Sequence, residues 1–241
     1  MGTLTLELRK ERRTGVLLVL PIAGILGAAY AFVNFLVRKE TLLSLPLEPM
    51  DVLLTQLYGM LVVLNMFGII AAACMIYHME FKGNAVRKMY VLPVSVHGMY
   101  LCKLFILSVT LLTAVVLQNL ALVKIGMTAL PQGAFDIEML SRFALYSFLT
   151  SMPVLSFMLL VSSRLENMWI PLGIGIAGFL SGMALSNVES GLILLHPFIV
   201  MLKPALAMSA QPETEVAAVA VAETTLFGGI GVWMAGRARE E

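Results

Sequence analysis

Long apolar runs, separated by short polar stretches, constrain this sequence more than any other feature. Six runs have roughly the 20 residues that a hydrocarbon layer about 30 Å thick requires. Their bounds are 16–36, 52–77, 104–123, 143–161, 169–185 and 216–235. With 59% hydrophobic and 13% charged residues, the chain has too much apolar surface for one soluble core. The sequence therefore predicts an all-α integral membrane protein with six transmembrane helices in a single domain, residues 1–241.

The segment 186–214 does not fit a spanning helix, although its part 191–207 is apolar. Pro197, Lys203 and Pro204 interrupt it, and a proline inside a helix removes a backbone hydrogen bond and clashes with the preceding turn. We expect two short helices that dip into the outer leaflet as a re-entrant segment. A seventh crossing is the alternative.

The positions of Lys and Arg predict the orientation of the chain. With six spans and a cytosolic N-terminus, the cytosolic segments hold 11 of these residues and the outer segments hold 5. Seven spans would reduce this bias to 9 against 7. We therefore expect both termini, and the polar segment 78–103, in the cytosol.

The N-terminal stretch 1–14 predicts a short helix on the membrane surface. Arg9, Arg12 and Arg13 group on one helical face, and Leu4 and Leu8 lie on another. The basic face would then lie toward anionic lipid headgroups. A disordered basic leader is the alternative.

The polar segment 78–103 separates two of the longest apolar runs and reads HMEFKGNAVRKMYVLPVSVHGMYLCK. A helix-compatible piece inside it ends before Pro93, since a residue before proline is biased away from the α region. That piece has an apolar face and charged flanks, which suits docking to another protein; a basic solvated loop is the alternative. The residues concerned are Val86, Met89, Tyr90, Arg87 and Lys88.

This segment resembles the second cytosolic loop of the membrane subunits of type-2 ABC exporters, the ABC-2 permeases. The family pattern E…N…R-K…L-P-V-S…K is matched at Glu80, Asn84, Arg87, Lys88, Leu92, Pro93, Val94, Ser95 and Lys103. The six predicted spans and the basic N-terminal helix are similar to the family's architecture. In its length, and in the broken HPF…KP segment before the last span, the chain resembles the small permeases of lantibiotic immunity and resistance.

The resemblance implies a multi-pass protein of the bacterial cell membrane, paired with a second permease chain that is identical or homologous. Two cytosolic ABC ATPase subunits would bind ATP and Mg, because this chain has no G-x-x-x-x-G-K-[ST] phosphate loop. The cargo would be an amphipathic peptide of the lantibiotic type. A coupling helix would contact the ATPase through Glu80, Val86, Arg87, Lys88, Met89 and Tyr90.

Two other functions compete with this interpretation. The same scaffold could carry a lipid, a drug or a polysaccharide, or the chain could be a non-transporting scaffold or sensor that recruits a cytosolic partner. An enzyme is poorly supported, because His78, His97 and His196 lie at predicted ends of spans and none has the ligand spacing of H-E-x-x-H. We predict no catalytic residue, no metal site, no cofactor bound by this chain and no nucleic-acid partner.

Polar residues inside the predicted spans are Asn65, Gln118, Asn119 and Glu223. The three amides either form hydrogen bonds between helices or lie on the transport pathway or subunit interface. Glu223 cannot face lipid cheaply when it is ionised, so we expect it to be protonated, paired, or directed to a wet cavity or a partner chain. Only Lys103 or Arg142, if deeper in the membrane than expected, could pair with it.

Gly178 and Gly182 form a G-x-x-x-G pattern in the fifth predicted span, and Gly175 lies about one turn earlier. Small residues on one face let another helix backbone approach closely. The pattern predicts helix packing, and it leaves open whether the neighbouring helix belongs to this chain or to a second one.

Overall fold

The computed structural model of the protein describes residues 3–12, 14–82, 96–131, 133–186, 191–206 and 211–237. The regular elements in these ranges are α1 (Thr3–Glu11), α2 (Val16–Leu43), α3 (Pro49–Gln56), α4 (Tyr58–Phe81), α5 (Val96–Ala129), α6 (Ile137–Ser162), α7 (Trp169–Leu185), a 3-10 helix (Gly191–Leu195), α8 (Pro197–Leu206) and α9 (Thr214–Arg237). The described residues contain no strand. The all-α class predicted from the sequence is confirmed for them.

Within the described ranges, five helical segments are long and apolar enough to cross a membrane. They are Val16–Leu42, Pro49–Phe81, Val96–Ala129, Ile137–Ser162 and Thr214–Arg237. The fifth predicted span, 169–185, forms α7, an apolar helix of 17 residues. At 1.5 Å per residue α7 is about 25 Å long, slightly less than a hydrocarbon core of about 30 Å. Five crossings therefore follow from helix length alone, and α7 is the helix on which a sixth depends.

The helices extend beyond the apolar runs at their polar ends. α2 continues to Leu43, and α5 begins at Val96, so Lys103 is part of a helix rather than of a loop. The predicted span 52–77 consists of α3 and α4, which meet at Leu57. The apolar runs in the sequence end at the first charged residues. The helices are longer than these runs because backbone hydrogen bonding continues through the charged residues.

Several prolines lie within regular helices, among them Pro204, where the sequence predicted a break: α8 continues past it to Leu206. α6 runs unbroken through Pro153, although a proline inside a helix removes a backbone hydrogen bond. Neighbouring helices can satisfy the carbonyl group that a proline leaves free, so such helices tolerate it. Pro197 is the first residue of α8, where a backbone N–H has no partner within the helix anyway.

The segment 186–214 contains the two short helices that the sequence predicts, the 3-10 helix and α8. Residues Phe198 to Leu202 of α8 are buried, and α8 packs against α4, α6 and α7. At ten residues, α8 is about 15 Å long and too short to cross a bilayer. Its insertion into the outer leaflet stays a prediction.

α4 forms the centre of the bundle and packs against α2, α6 and α8. In the apolar window of Pro49–Phe81, 61% of the residues are buried, against 33% in α2 and 28% in α9. The peripheral helices α2 and α9 accordingly present large apolar side chains outward, which suits contact with lipid or with another chain.

Several helix ends meet where α1 contacts α5, and we call this side of the bundle the α1 end. A cavity there is lined by Glu80 from α4, Lys103 from α5, Arg164 from the turn after α6, and Ala235 from α9. α2 starts at the α1 end because it follows α1 directly. Thus α2 and α5 run away from this end, and α4, α6 and α9 run toward it.

Candidate functional site

A group of buried charged side chains joins α1 to the two helices that flank residues 83–95. We call this group the charge cluster; its members are Glu7, Lys10, Glu11, Glu80 and Lys103. Glu80 lies in the last turn of α4, Lys103 lies near the start of α5, and α1 supplies the other three. Lys10 is partly exposed, and the other four members are at most 4% exposed.

The spacing of charged residues in α1 explains why it contributes three members to the charge cluster. Glu7, Lys10 and Glu11 occur at i, i+3 and i+4, so they share one helical face. Arg9 and Arg12 lie on the exposed surface, whereas Arg13 lies outside the described residues. The face of α1 that packs against the bundle is therefore charged rather than apolar, which the sequence analysis did not predict.

Lys103 is the centre of the charge cluster. Its Nζ lies 2.7 Å from Oε1 of Glu80 and 4.0 Å from Oε1 of Glu11, and it donates a hydrogen bond to Glu7. The ring of Tyr77 lies beside the same ammonium, with its centroid 5.7 Å from Nζ, so a cation–π contact is added. One buried cation thus holds α1, α4 and α5 together.

Lys10 supplies a second bridge between α1 and α4. Its Nζ donates a hydrogen bond to Oε1 of Glu80 and lies 3.7 Å from Oε2 of Glu7. Three carboxylates and two ammonium groups leave the charge cluster with a net charge of −1 when all are ionised. Removing one partner from a buried pair typically costs about 3–5 kcal/mol, because the other charge remains buried and uncompensated.

Glu11 is the acid at the edge of the charge cluster. Burial raises the pKa of its carboxyl group, and Lys103, Lys10 and a hydrogen bond from Thr14 only partly oppose that effect. Among the described residues, Oε1 of Glu11 has no hydrogen-bond donor, while Oε2 accepts from Oγ1 of Thr14 at 3.1 Å. The neutral form of Glu11 is therefore favoured relative to an exposed glutamate.

The cavity next to the charge cluster has a volume of about 70 Å³, enough for ordered water. Its wall includes Tyr100 of α5, which packs onto Gly231 of α9 so closely that a Cβ atom there would overlap the ring. Next to this contact, Nδ1 of His97 lies 2.8 Å from the carbonyl oxygen of Val232. The last turns of α9 are thereby packed against the first turns of α5.

Of the predicted coupling residues, Glu80 is the one that the structure describes. Glu80 is 3% exposed and forms ion pairs with both Lys10 and Lys103. It therefore fixes the end of α4, just before the segment 83–95, to α1 and α5. Its contact with an ATPase stays a prediction. The remaining coupling residues lie outside the described residues: Val86, Arg87, Lys88, Met89 and Tyr90.

Two of the amides inside the spans pair with each other across α4 and α5. Asn65 donates to Oε1 of Gln118 at 2.9 Å, and Gln118 donates to Oδ1 of Asn65 at 2.8 Å. Asn119 donates to the hydroxyl of Tyr58 at 3.2 Å and to the carbonyl oxygen of Val115 at 2.8 Å. Pairing inside the chain accounts for Asn65 and Gln118, and a pathway or interface role for any of the three stays a prediction.

Glu223 is 6% exposed in α9, and its Oε2 has no hydrogen-bond partner among the described residues. Lys103 binds Glu80 and Glu7, whereas Arg142 lies 2.5 Å from Glu138 on the exposed surface of α6. Neither of the basic residues considered for Glu223 is therefore its partner. Its place on a pathway or subunit interface stays a prediction.

The G-x-x-x-G face of α7 packs within the chain. A Cβ atom on Gly178 would overlap the ring of Phe198 in α8, and one on Gly182 would lie 3.2 Å from Cβ of Phe198. A Cβ atom on Gly175 would lie 2.7 Å from Cγ2 of Ile70 in α4. These glycines let α7 approach α8 and α4, and this packing needs no second chain.

In the described part of the chain, no group of three or more His, Cys, Asp or Glu side chains could hold a metal ion. Nε2 of His196 lies 3.1 Å from Oγ of Ser181, which links the start of α8 to α7. The contacts of His196 with Ser181 and of His97 with Val232 each join two helices, which is typical of residues that stabilise helix packing.

Comparison with known proteins supplies the family. A family model described as ABC-2 family transporter protein matches residues 3–182, from α1 into α7, and so includes every member of the charge cluster. No curated protein and no solved structure matches the chain significantly. The match covers well over half of the 241 residues and agrees with the set of apolar helices long enough to cross a membrane. The chain is a multi-pass membrane component that belongs to the ABC-2 family of transporter proteins.

Proposed function

We propose that this chain is the permease subunit of an ABC exporter that expels an amphipathic peptide of the lantibiotic type and so gives immunity or resistance. Two partner ATPase subunits bind ATP and Mg in the cytosol, and a second permease chain, identical or homologous, completes the transporter in a bacterial cell membrane. The charge cluster is the observation that carries the coupling part of this proposal. It connects α1 to both flanks of residues 83–95, where the resemblance predicts the ATPase contact.

Six crossings with both termini in the cytosol are part of this proposal. α6 ends at the α1 end, and α9 also ends there, which supports a crossing in the opposite direction by the intervening chain. α7 is the helix with the length for that crossing, since 17 residues is the lower limit of the usual range and α8 has only ten. The predicted bias of Lys and Arg supports the assignment of the α1 end to the cytosol.

The coupling follows from how the charge cluster binds its helices. When the ATPase subunits close, they would push the segment 83–95 and with it the ends of α4 and α5. α1 would move with these two helices, because separating Lys103 from its carboxylates would leave buried charges unpaired. α1, α4 and α5 would thus move as one rigid unit against the second permease chain, which opens or squeezes a cleft between them.

An affinity purification from the native membrane tests this function first. We expect an ATPase with a phosphate loop and a second permease chain to remain bound. Cells without the chain should become sensitive to cationic peptide antibiotics, and sensitivity to an uncharged drug is the control. A well-preserved complex without an ATPase would refute the transporter function, whereas an intact complex without a peptide phenotype would assign another cargo.

A further inference from the structure

The three faces of α1 carry different kinds of side chain. Its members of the charge cluster are turned toward the bundle. Arg9 and Arg12 lie on the opposite side of the helix, about half a turn away, and both are exposed. Leu4 and Leu8 lie between these two faces and are 37% and 42% exposed. The side of α1 that faces away from the bundle is therefore basic, with an apolar border.

Several features place α1 at the surface of the membrane. The first span, α2, begins at Val16, and Leu18 in its first turn is 60% exposed, as expected of a residue in contact with lipid. Both tryptophans of the sequence lie at the α1 end, because Trp169 begins α7 and Trp233 lies in the last turns of α9. They are 69% and 55% exposed, and exposed tryptophans are typical of the boundary between headgroups and hydrocarbon. α1 therefore lies at the level of the headgroups.

The exposed charge at the α1 end is mostly positive. In the described part of the chain, the exposed charged residues at this end are Arg9, Arg12, Lys82, Arg164, Arg237 and Glu166. Neither Arg9 nor Arg12 forms an ion pair with a described carboxylate. The acids of α1 are buried beside Lys10 and Lys103 instead. Five positive charges against one negative charge attract anions to this surface.

We propose that this outward side of α1 binds anionic phospholipids of the adjoining leaflet, and that bound lipid stabilises the attachment of α1 to the bundle. Arg9 and Arg12 bind the phosphate, since a guanidinium group donates two parallel hydrogen bonds to phosphate oxygens. Leu4 and Leu8 contact the acyl chains. An acidic protein would use the arginines alone, whereas a lipid also covers the leucines beside the first span. Under the proposed orientation this leaflet is the cytosolic one, which carries anionic lipids.

The stabilising role follows from the two sides of α1. Its inner side is bound to Glu80 at the end of α4 and to Lys103 near the start of α5, the two helices that flank residues 83–95. Lipid that binds the folded chain and not the unfolded chain shifts the equilibrium toward the folded chain. Anionic lipid should therefore favour the arrangement in which α1, α4 and α5 are held together. The inference goes beyond the proposed function, because it requires neither cargo nor ATP.

A fluorescent label on α1 tests lipid binding at this site. Thr5 lies on the exposed side beside Arg9 and Arg12, so Thr5→Cys can carry a bimane label there. Cys102→Ser prevents labelling elsewhere, since the other cysteine, Cys74, is buried. The full chain is placed in nanodiscs in which either brominated phosphatidylglycerol or brominated phosphatidylcholine quenches the label. We expect a preference for phosphatidylglycerol of up to about 30-fold at low salt, about 5-fold for each arginine, and a smaller preference at about 1 M salt.

Two charge variants show whether the arginines cause this preference. Arg9→Gln with Arg12→Gln should reduce it to less than about 2-fold, whereas Arg38→Gln with Lys39→Gln, an exposed pair at the opposite end of α2, is the matched control and should leave it unchanged. Equal quenching by the two lipids in the wild type, or a preference that survives without the two arginines, would overturn the proposal. Quenching by neither lipid would place this side of α1 away from the bilayer and also overturn it. Loss of the preference in the complete transporter would assign this side to a partner subunit, with the same consequence.

Thermal unfolding in the same nanodiscs tests the stabilising role. Phosphatidylglycerol should raise the midpoint of the wild type above its value in phosphatidylcholine, and it should raise that of the variant without Arg9 and Arg12 less. A lipid preference without this difference would refute the stabilising role. Because neither measurement involves transport, an unselective α1 leaves the exporter function standing, and a selective α1 in a complex that exports nothing refutes export alone.

Discussion

Replacing Lys103 by Met removes the ammonium group that three buried carboxylates share. Met keeps most of the length and volume of the lysine stem, so packing is nearly preserved and the change is electrostatic. The net charge of the charge cluster changes from −1 to −2, and Glu80 keeps only Lys10 as its cation within the charge cluster. Breaking a buried pair in this way costs about 3–5 kcal/mol, and uptake of a proton by one carboxyl group brings the expected loss to the lower end of that range.

For a chain of this size, about 3 kcal/mol corresponds to a decrease of roughly 6–12 °C in the midpoint of thermal unfolding. The assay is thermal unfolding of the purified chain in detergent at neutral pH. Lys124→Met, at an exposed position of the same helix, is the matched control and should change the free energy of unfolding by less than about 0.5 kcal/mol.

A double variant distinguishes charge pairing from a general packing defect. Lys103→Met with Glu7→Gln returns the net charge of the charge cluster to −1, so we expect part of the lost stability to return, with a coupling free energy of about 1–3 kcal/mol. If Lys103→Met is as stable as Lys124→Met, or if Glu7→Gln worsens the defect additively, the charge cluster does not hold α1 to the bundle. The proposed rigid unit would then be refuted.

Three further predictions concern Glu11, the amide pair and α7. Burial raises the pKa of Glu11 above its ordinary value of 4.5, so the folded chain binds a proton there more tightly than the unfolded chain. The stability that Glu11 contributes is therefore present in acid and is lost as the pH rises through the raised pKa. Thermal unfolding measured upward from pH 4.5 should show this decline in the wild type and less of it in Glu11→Gln. Asn65→Leu and Gln118→Leu should each cost about 1–2 kcal/mol in unfolding measurements, and the double variant should cost less than their sum, whereas strict additivity would contradict the reciprocal pair. Gly178→Ala should destabilise the chain by about 1–3 kcal/mol, and the additional variant Phe198→Ala should restore part of that loss. Gly173→Ala is the control and should not destabilise the chain, because a Cβ atom there meets no atom within 4 Å. If Phe198→Ala restores nothing, Gly178 does not pack against α8.

Much of the fold could be predicted because its cause is local. A bilayer offers no partner for backbone N–H and C=O groups, so each apolar run of sufficient length has to form a helix. α7 has the predicted bounds, and the breaks around Pro197 do yield two short helices. The ends of α2 and α5 differ from the prediction because hydrophobicity reports where lipid begins, whereas a helix ends where its backbone hydrogen bonds end.

The candidate site could be predicted only in part. Glu80 and Lys103 were singled out by the family pattern, but the three α1 members of the charge cluster were not. Their spacing, an acid followed by Lys and Glu three and four residues later, is the signal in the sequence. The arginines of the same stretch favoured a helix on the membrane surface instead, because charged residues are mostly exposed.

From the sequence alone come the helical class, the membrane location, the segment 78–103 between two spans and the resemblance to ABC-2 permeases, since all of these depend on composition and on spacing within short windows. The tertiary structure alone decides which buried polar groups meet. Lys103 binds Glu7 from 96 positions away, and Asn65 binds Gln118 from 53 positions away. Such pairs depend on how whole helices are arranged against one another, and the free energy that selects the arrangement is spread over the entire packed bundle.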